Sequence, residues 1–361
     1  MIAAVHERLG ATLDRLRTYD RPLIVIAGIL LGLGILFSMA TSPVATARIR
    51  IDEAFYFAAR QAAYALLGLI VMLGSASLDP RQLRRTATMI FVVALPLCAL
   101  AALLGSDVRG ARRWFDFGVF SLQPSEILKQ AMVVTWAWML SESMKQPRFP
   151  GRTIAITLFA LAAAALLAQP DIGQTALLAL VLGSMLILSG MALRWLFGGA
   201  ALAGAAGLAI YQAFPHARER VDAFLHPETA YQVGRALDAI ASGGVFGRGP
   251  GEGVIKRSLP DAHADFVFAV AAEEFGMLAS LGVIALFGAL AFRGLSRASR
   301  LNDPFEQLAA AGLVTLLVLQ AGIHVAVNLS RIPAKGMTLP FISFGGSSMV
   351  GSAMTLGFCL S

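Results

Sequence analysis

Charge is scarce in this chain. Of its 361 residues only 14% are Asp, Glu, Lys or Arg while 57% are hydrophobic, a balance that excludes an ordinary soluble domain. Cysteine is nearly absent, and Cys98 and Cys359 both lie inside apolar runs; a disulfide framework and a thiolate metal site are therefore unsupported. No His/Asp metal cage, internal repeat, low-complexity tract or nucleic-acid module is visible. The first apolar stretch follows a 21-residue polar segment without a small-residue cleavage site, so no cleavable signal peptide is expected.

What is present is apolar length. With a mean hydropathy of +0.71, the chain carries ten stretches near the roughly 20 residues needed to cross about 30 Å of hydrocarbon. They run 22–41, 54–77, 86–105, 124–142, 152–168, 172–190, 193–213, 265–293, 305–330 and 341–361, and all are read as helices. The expected fold is an all-α polytopic membrane protein of about ten transmembrane helices, with one large extracytoplasmic loop, 214–264, between the seventh and eighth. Residues 1–21 form a cytoplasmic N-terminal segment, and 22–361 form a single membrane domain.

Orientation follows from retention of Lys and Arg on the cytoplasmic side. Arg21, Arg81, Arg84, Arg85, Lys145, Arg148, Arg152, Arg194, Arg293, Arg297 and Arg300 fall in or beside one alternating set of short loops. The N-terminus is thus placed inside and 214–264 outside. In the N-terminal segment Ile2, Val5, Leu9, Leu13 and Leu16 recur at helical spacing; an amphipathic helix on the inner membrane surface and a solvated leader both fit. The net charge of +7 suits anionic lipid head groups better than nucleic acid. Because "GSAMTLGFCLS" stops in an apolar run without a basic cap, the natural protein is expected to continue beyond Ser361.

Four polar clusters interrupt the apolar pattern, all on the expected outer side. In "RGARRWFDFGVFSLQPSEILKQ" Arg109, Arg112, Arg113 and Trp114 precede a helix entered through Pro124. Capping explains Ser125 and Glu126, since the first N–H groups of a helix lack partners and its dipole favours an anion. Lys129 lies deeper and can pair with Glu126 at i, i+3, and an ionisable pair at such depth points to function. "AQPDIG" breaks a long apolar run and places Asp171 at the break. In "RIPAKGMTLPFISFGGSSM" prolines and glycines alternate with Ser343, Ser347 and Ser348, as expected of a re-entrant turn lining a cavity. For Gly28, Gly32 and the glycines from Gly198 to Gly207, tight helix packing is the preferred reading.

The fourth cluster, "SLPDAHADF", sets Asp261, His263 and Asp265 at the lip of the eighth span. Upstream, the glycines of "GGVFGRGPGEG" fit neither Rossmann nor Walker spacing and are read as a flexible link, and 228–242 is read as a helix. An outer site with arginines, an apolar wall and a carboxylate suits a lipid with an anionic head. Arg112, Arg113 and Lys129 can hold a phosphate or diphosphate. Asp265 can take a proton from a sugar hydroxyl attacking an anomeric carbon. Spacing alone serves equally well for a helix cap.

Four segments carry a family resemblance: "GARRWFDFGVFSLQPSEILK", "QPDIGQTALL", "YQVGRALDAIASGGVFGRGPGEGVIKRSLPDAHADFVFAVAAEEFG" and "IPAKGMTLPFISFGGSSM". Together, in order and across nearly the whole chain, they resemble the SEDS family (shape, elongation, division and sporulation). Lys335-Gly336 is closer to the division branch than to the elongation branch, which tends to have Thr-Gly. The resemblance implies ten transmembrane helices and a peptidoglycan glycosyltransferase that polymerises lipid II, releasing undecaprenyl diphosphate. It implies that Asp265 is the essential aspartate, in a sequence where Ala264 replaces a usual threonine. It matches Arg113, Glu126 and Lys129 to the family's charged motif, and His324 stands where an asparagine is common. Within the matched segments Arg112, Trp114, Gln123, Ser125, Asp171, His263, Lys335, Ser343, Gly345, Gly346, Ser347 and Ser348 are candidate substrate contacts. The implied partners are a class B penicillin-binding protein and other division proteins at the septum of a bacterial inner membrane. A divalent cation, Mg or Mn, is implied as a companion of the substrate phosphates. Two other classes compete: a transporter that flips lipid II, for which Asp171 is the best residue, and a non-catalytic scaffold of the division machinery.

Overall fold

The computed structural model describes residues 20–108, 111–118, 120–213, 218, 231–333 and 336–361. The expected N-terminal amphipathic helix, Arg109 and Lys335 lie outside these residues. Each of the ten expected spans coincides with a helix: α1 (Arg21–Ile49), α2 (Tyr56–Ala76), α3 (Pro80–Leu104), α4 (Pro124–Lys145), α5 (Gly151–Ala168), α6 (Ile172–Leu188), α7 (Leu193–Ala213), α9 (Val267–Ala298), α10 (Pro304–Asn328) and α11 (Gly346–Leu360). An additional helix, α8 (Tyr231–Gly243), lies in the long loop. Among the described residues, α1, α2, α3, α5, α7, α9 and α10 are long and apolar enough to cross a membrane, and the apolar α6 and α11 are shorter. Before its last turn, the polar residues of α4 from Ser125 to Ser141 are buried against its neighbours, not offered to lipid.

The boundaries differ from expectation where local chemistry overrides hydropathy. α1 runs on past Pro43, where Lys256 Nζ donates to Ala40 O at 2.9 Å and Thr46 Oγ1 to Ser42 O at 3.0 Å. α3 begins at Pro80, six residues early, where Asp79 N donates to Gln82 Oε1 at 2.9 Å in a capping box. The purely helical expectation misses a three-stranded antiparallel sheet between α3 and α4: β1 (Ser106–Val108), β2 (Ala111–Asp116) and β3 (Ser121–Leu122).

The eighth span is not one continuous helix. At Gly276 (φ 80°) α9 breaks, and a side chain there would strike the backbone of Val245, Phe246 and Gly247. The groups freed by the break are taken by the glycine-rich loop: Arg248 N and Gly249 N donate to Glu273 O and Glu274 O at 2.9 and 3.0 Å, and Met277 N donates to Gly244 O at 2.9 Å. The expected flexible link is therefore corrected. Its glycines are required by close backbone approach, and the segment is held on both sides of the break.

Small-residue packing also falls elsewhere than expected. Gly28, Gly32, Gly198, Gly204 and Gly207 have nothing within 4 Å of a modest side chain, whereas Gly34, Gly351 and Gly357 lie directly against the backbone of other segments. The alternating helix directions bring the C-termini of α1, α3, α5 and α10 and the N-termini of α2, α4, α6, α9 and α11 to one end of the bundle. All four polar clusters sit at this end, hereafter the site end. At the opposite end Arg293 meets Asp20 at 3.0 Å and Lys145 meets Asp303 at 3.0 Å.

Candidate functional site

The site is built from the turn that ends in Asp265. Residues 261–266 wind into the start of α9, with Asp261 in the left-handed region at φ 53°, a conformation Asp tolerates better than most residues. Three consecutive carbonyls of this turn are each held by a different donor. His263 O accepts from Phe344 N at 3.0 Å, Ala264 O from Ser343 Oγ at 2.7 Å, and Asp265 O from Asn328 Nδ2 at 3.1 Å. Asn328 also takes Ala269 N on its Oδ1 at 3.1 Å, so one side chain of α10 fixes both the catalytic candidate and the first turn of α9. The Asp265 side chain remains half-buried, and its Oδ2 lies 3.3 Å from where a Cβ at Gly336 (φ 50°) would stand.

The His263 ring packs between Phe57 and Phe344, with centroids 4.6 and 5.5 Å away. Burial pushes its pKa below the ordinary histidine value; the negative charge of Asp261 opposes that shift and the Arg48 guanidinium adds to it.

The segment 336–348 makes a buried irregular turn, with Phe341 at φ 65°, before entering α11. Where a cavity wall is expected, the stretch is bonded to its neighbours. A Cβ on Gly346 would stand 3.0 Å from the Tyr64 ring, and Ser343 accepts Leu339 N at 2.8 Å besides bonding Ala264. Ser347 accepts Gln123 N at 3.0 Å and donates to Ser121 O at 3.1 Å, and Ser348 meets Thr338 Oγ1 at 2.5 Å. Gly345 precedes the helix with only Ser348 and Thr338 near it. This stretch is a hydrogen-bonded junction tying β3, α4 and the Asp265 turn together.

From Thr338 a buried polar chain runs into the bundle. Its carbonyl accepts from Gln320 Nε2 at 3.0 Å; Gln320 Oε1 accepts from Lys129 Nζ at 2.8 Å; Lys129 reaches Glu126 Oε1 at 3.0 Å; Glu126 accepts from Gln174 Nε2 at 2.8 Å. The expected i, i+3 pair is present, but Glu126 does not cap α4: Gln123 occupies that position without a side-chain bond, and Ser125 is buried with no partner for its hydroxyl. Asp171 does cap α6, accepting Gln174 N at 3.3 Å. Arg113 clamps the α5–α6 break through Gln169 O at 3.0 Å, Pro170 O at 2.5 Å and Asp171 Oδ1 at 3.6 Å. Arg112 stays exposed on the sheet, donating to Leu103 O at 3.1 Å, and Trp114 is half-buried beside it.

Residues that composition did not single out complete the site. Gln320, His324 and Asn328 recur every four residues along α10 and so share one face. His324 Nδ1 lies 2.7 Å from Met337 O. Glu273 and Glu274 are wholly buried in α9: Glu273 accepts Val254 N and Ile255 N at 2.7 Å and Lys256 N at 2.9 Å, and Glu274 pairs with Lys256 Nζ. Two carboxylates inside an apolar span were a legible signal. Among the described residues no three His, Cys, Asp or Glu side chains converge on a metal position.

Comparison with known proteins agrees with this architecture. The family model described as "Cell cycle protein", for FtsW, RodA and SpoVE, matches residues 21–361. A protein of Caulobacter vibrioides named "Probable peptidoglycan glycosyltransferase FtsW" is 47% identical over 348 residues, covering 95% of this chain and 89% of its own length. The Geobacter metallireducens protein of the same name is 33% identical, covering 97% and 96%. Among solved structures, one on "structural coordination of polymerization and crosslinking by a peptidoglycan synthase complex" aligns with a TM-score of 0.79 at 27% identity, covering 95% and 96%. The rod shape determining protein RodA of Thermus thermophilus aligns at 0.71 and 27%, covering 95% of each chain. The chain belongs to the FtsW/RodA/SpoVE family of cell cycle proteins, the SEDS family.

Proposed function

We propose that the chain is a peptidoglycan glycosyltransferase of the inner membrane, acting in septal wall synthesis, which polymerises lipid II with inversion at the anomeric carbon. The observation that carries this reading is the pinned turn at Asp265. A carboxylate whose own and two preceding carbonyls are held by three separate donors is positioned before substrate arrives, as a general base must be. The sugar hydroxyl of one lipid-linked chain gives its proton to Asp265 as it attacks the other's anomeric carbon. Undecaprenyl diphosphate leaves from the opposite face. The names of the relatives support the same chemistry.

The arginines read as cytoplasmic all map to the end of the bundle opposite Asp265, which supports a cytoplasmic N-terminus and an extracytoplasmic site end. Arg112, exposed at that end and 3.9 Å from Asp107, is one of the cations that could meet a diphosphate. Lys129 and Arg113 act on the substrate through the segments they hold. The described residues do not form a cation cage; Mg or Mn would accompany the diphosphate of the substrate, as hard cations do. The proposed partners are a class B penicillin-binding protein, which would crosslink the glycan, and other division proteins.

The test is glycan formation from labelled lipid II by the purified chain with its penicillin-binding partner, beside Asp265→Asn. The exchange keeps shape and removes the base, a loss of about 10²- to 10⁴-fold. Polymer made by Asp265→Asn at the wild-type rate refutes the reading. Transbilayer movement of lipid II without polymer would favour the transporter, and neither activity would favour the scaffold.

A further inference from the structure

Away from Asp265 itself, the site end holds one groove that nothing above employs. It encloses about 660 Å³ between the last turns of α1 and the 250–257 turn, with Leu36, Met39, Pro43 and Val44 along one wall and Phe275 on the other. Its rim carries Arg48 and Arg257. From Leu36 to Arg48 a helix rises about 18 Å, close to the thickness of one leaflet's hydrocarbon at about 15 Å. The groove is thus apolar over leaflet depth and cationic at head-group height.

Two features select the lipid. Both rim arginines are exposed and line the same groove, and Arg48 Nη2 donates to the main-chain oxygen of Arg257 at 2.7 Å, so two cationic side chains stand at one mouth. Lys256 adds no third charge there, because Glu274 neutralises it. Two cations match a diphosphate better than the single charge of a phosphodiester. The rim also adjoins the catalytic turn: Phe55 lines the groove, and Phe57, two residues on, packs its ring on His263 at 4.6 Å.

We propose that this groove seats a polyprenyl diphosphate-linked lipid, its chain along Leu36, Met39 and Val44 and its diphosphate between Arg48 and Arg257, presenting the attached sugar toward Asp265. The inference rests on the glycosyltransferase reading and adds to it where one of the two lipids lies.

The experiment uses the full chain in phospholipid nanodiscs and two photoactivatable probes, undecaprenyl diphosphate with a diazirine in its chain and phosphatidylglycerol with a diazirine in an acyl chain. The polyprenyl probe should label peptides within 36–48, and unlabelled undecaprenyl diphosphate should suppress that label. Arg48→Gln, which keeps a donor for Arg257 O, and Ala47→Trp, which fills the groove, should each cut labelling about tenfold, the loss expected for one charge-assisted contact. Both should raise the KM for lipid II by a similar factor, and Ile29→Trp, elsewhere on the lipid-facing side of α1, should not. Equal labelling by phosphatidylglycerol, labelling confined to residues that do not line the groove, or wild-type labelling of Ala47→Trp overturns the proposal, even where Asp265-dependent polymerisation persists. Labelling as expected without polymerisation would leave the groove standing and remove the enzymatic reading instead.

Discussion

Replacing Lys129 by Met separates two roles for the buried pair on α4. As part of an open anion site, the lysine would be spared by folding and its loss would weaken substrate binding alone. Its environment argues otherwise: it has 0% exposure, and its ammonium is divided between Glu126 Oε1 at 3.0 Å and Gln320 Oε1 at 2.8 Å. Met fills the volume but leaves Glu126 a buried carboxylate held by Gln174 alone. Removing one partner of a buried ion pair typically costs about 3–5 kcal/mol, because the other charge remains uncompensated. At about 2 °C per kcal/mol for a chain of this size, the unfolding temperature in detergent, scanned at one fixed rate, should fall by about 6–10 °C. The companion variant Glu126→Gln/Lys129→Met removes the stranded charge and should recover at least half of that fall. A Lys129→Met protein that unfolds at the wild-type temperature, or a double variant no better than the single, would refute the cross-link and return the lysine to the substrate.

Gly336→Ala places a methyl group 3.3 Å from Asp265 Oδ2 at a φ of 50°; it should lower kcat by about tenfold with little change in thermal unfolding, and unchanged kcat would separate Gly336 from the site. The lowered pKa of His263 means that its neutral form is preferred on folding, so its contribution to stability is complete above the unfolded value of about 6.5 and is lost as pH falls through the lower folded value. His263→Phe should therefore lessen the drop in unfolding temperature between pH 7.5 and pH 5.5, and an identical drop would remove this histidine as its source.

Much of the bundle was legible because hydrocarbon imposes a length on every crossing helix, and each expected span is occupied. The ends were less so. The capping box that starts α3 at Pro80 acts through single hydrogen bonds, which an apolar average does not register. The sheet at 106–122 is too short for an alternating pattern to declare itself. The Glu126–Lys129 pair was found from charge in the wrong place, and Asp265 was singled out by its position at the lip of an apolar span together with the family resemblance. Gln320 and Asn328 were passed over, since neutral amides do not disturb hydropathy as ionised groups do, although their spacing with His324 marks a polar stripe. The packing of 336–348 was not legible for a related reason. Glycine and serine suit both a ligand-facing backbone and a packed junction, and only the neighbours, Tyr64 for Gly346 and Gln123 for Ser347, decide between them.

Those neighbours also explain why charges far from Asp265, the proposed general base, can matter to it. The turn at 263–265 is fixed by Phe344, Ser343 and Asn328. The segment carrying Ser343 is held through Thr338 by Gln320, which is shared with Lys129. Lys129 is bound to Glu126, and Glu126 to Gln174 on α6. On the other flank, Glu273 gathers three consecutive N–H groups of 254–256, the residues that lead into the same turn. A buried ionic group is seldom a net source of stability, and a membrane span that could have been wholly apolar carries several. Their arrangement is better explained by placement: each charge fixes a length of irregular backbone that helix propensity could not, and those lengths converge on Asp265. A general base works by being within hydrogen-bond reach of one proton at one moment, and a displacement of about 1 Å can cost 10²-fold. On that scale, losing any member of the chain should show first in turnover per folded molecule and only second in the amount of protein in the membrane.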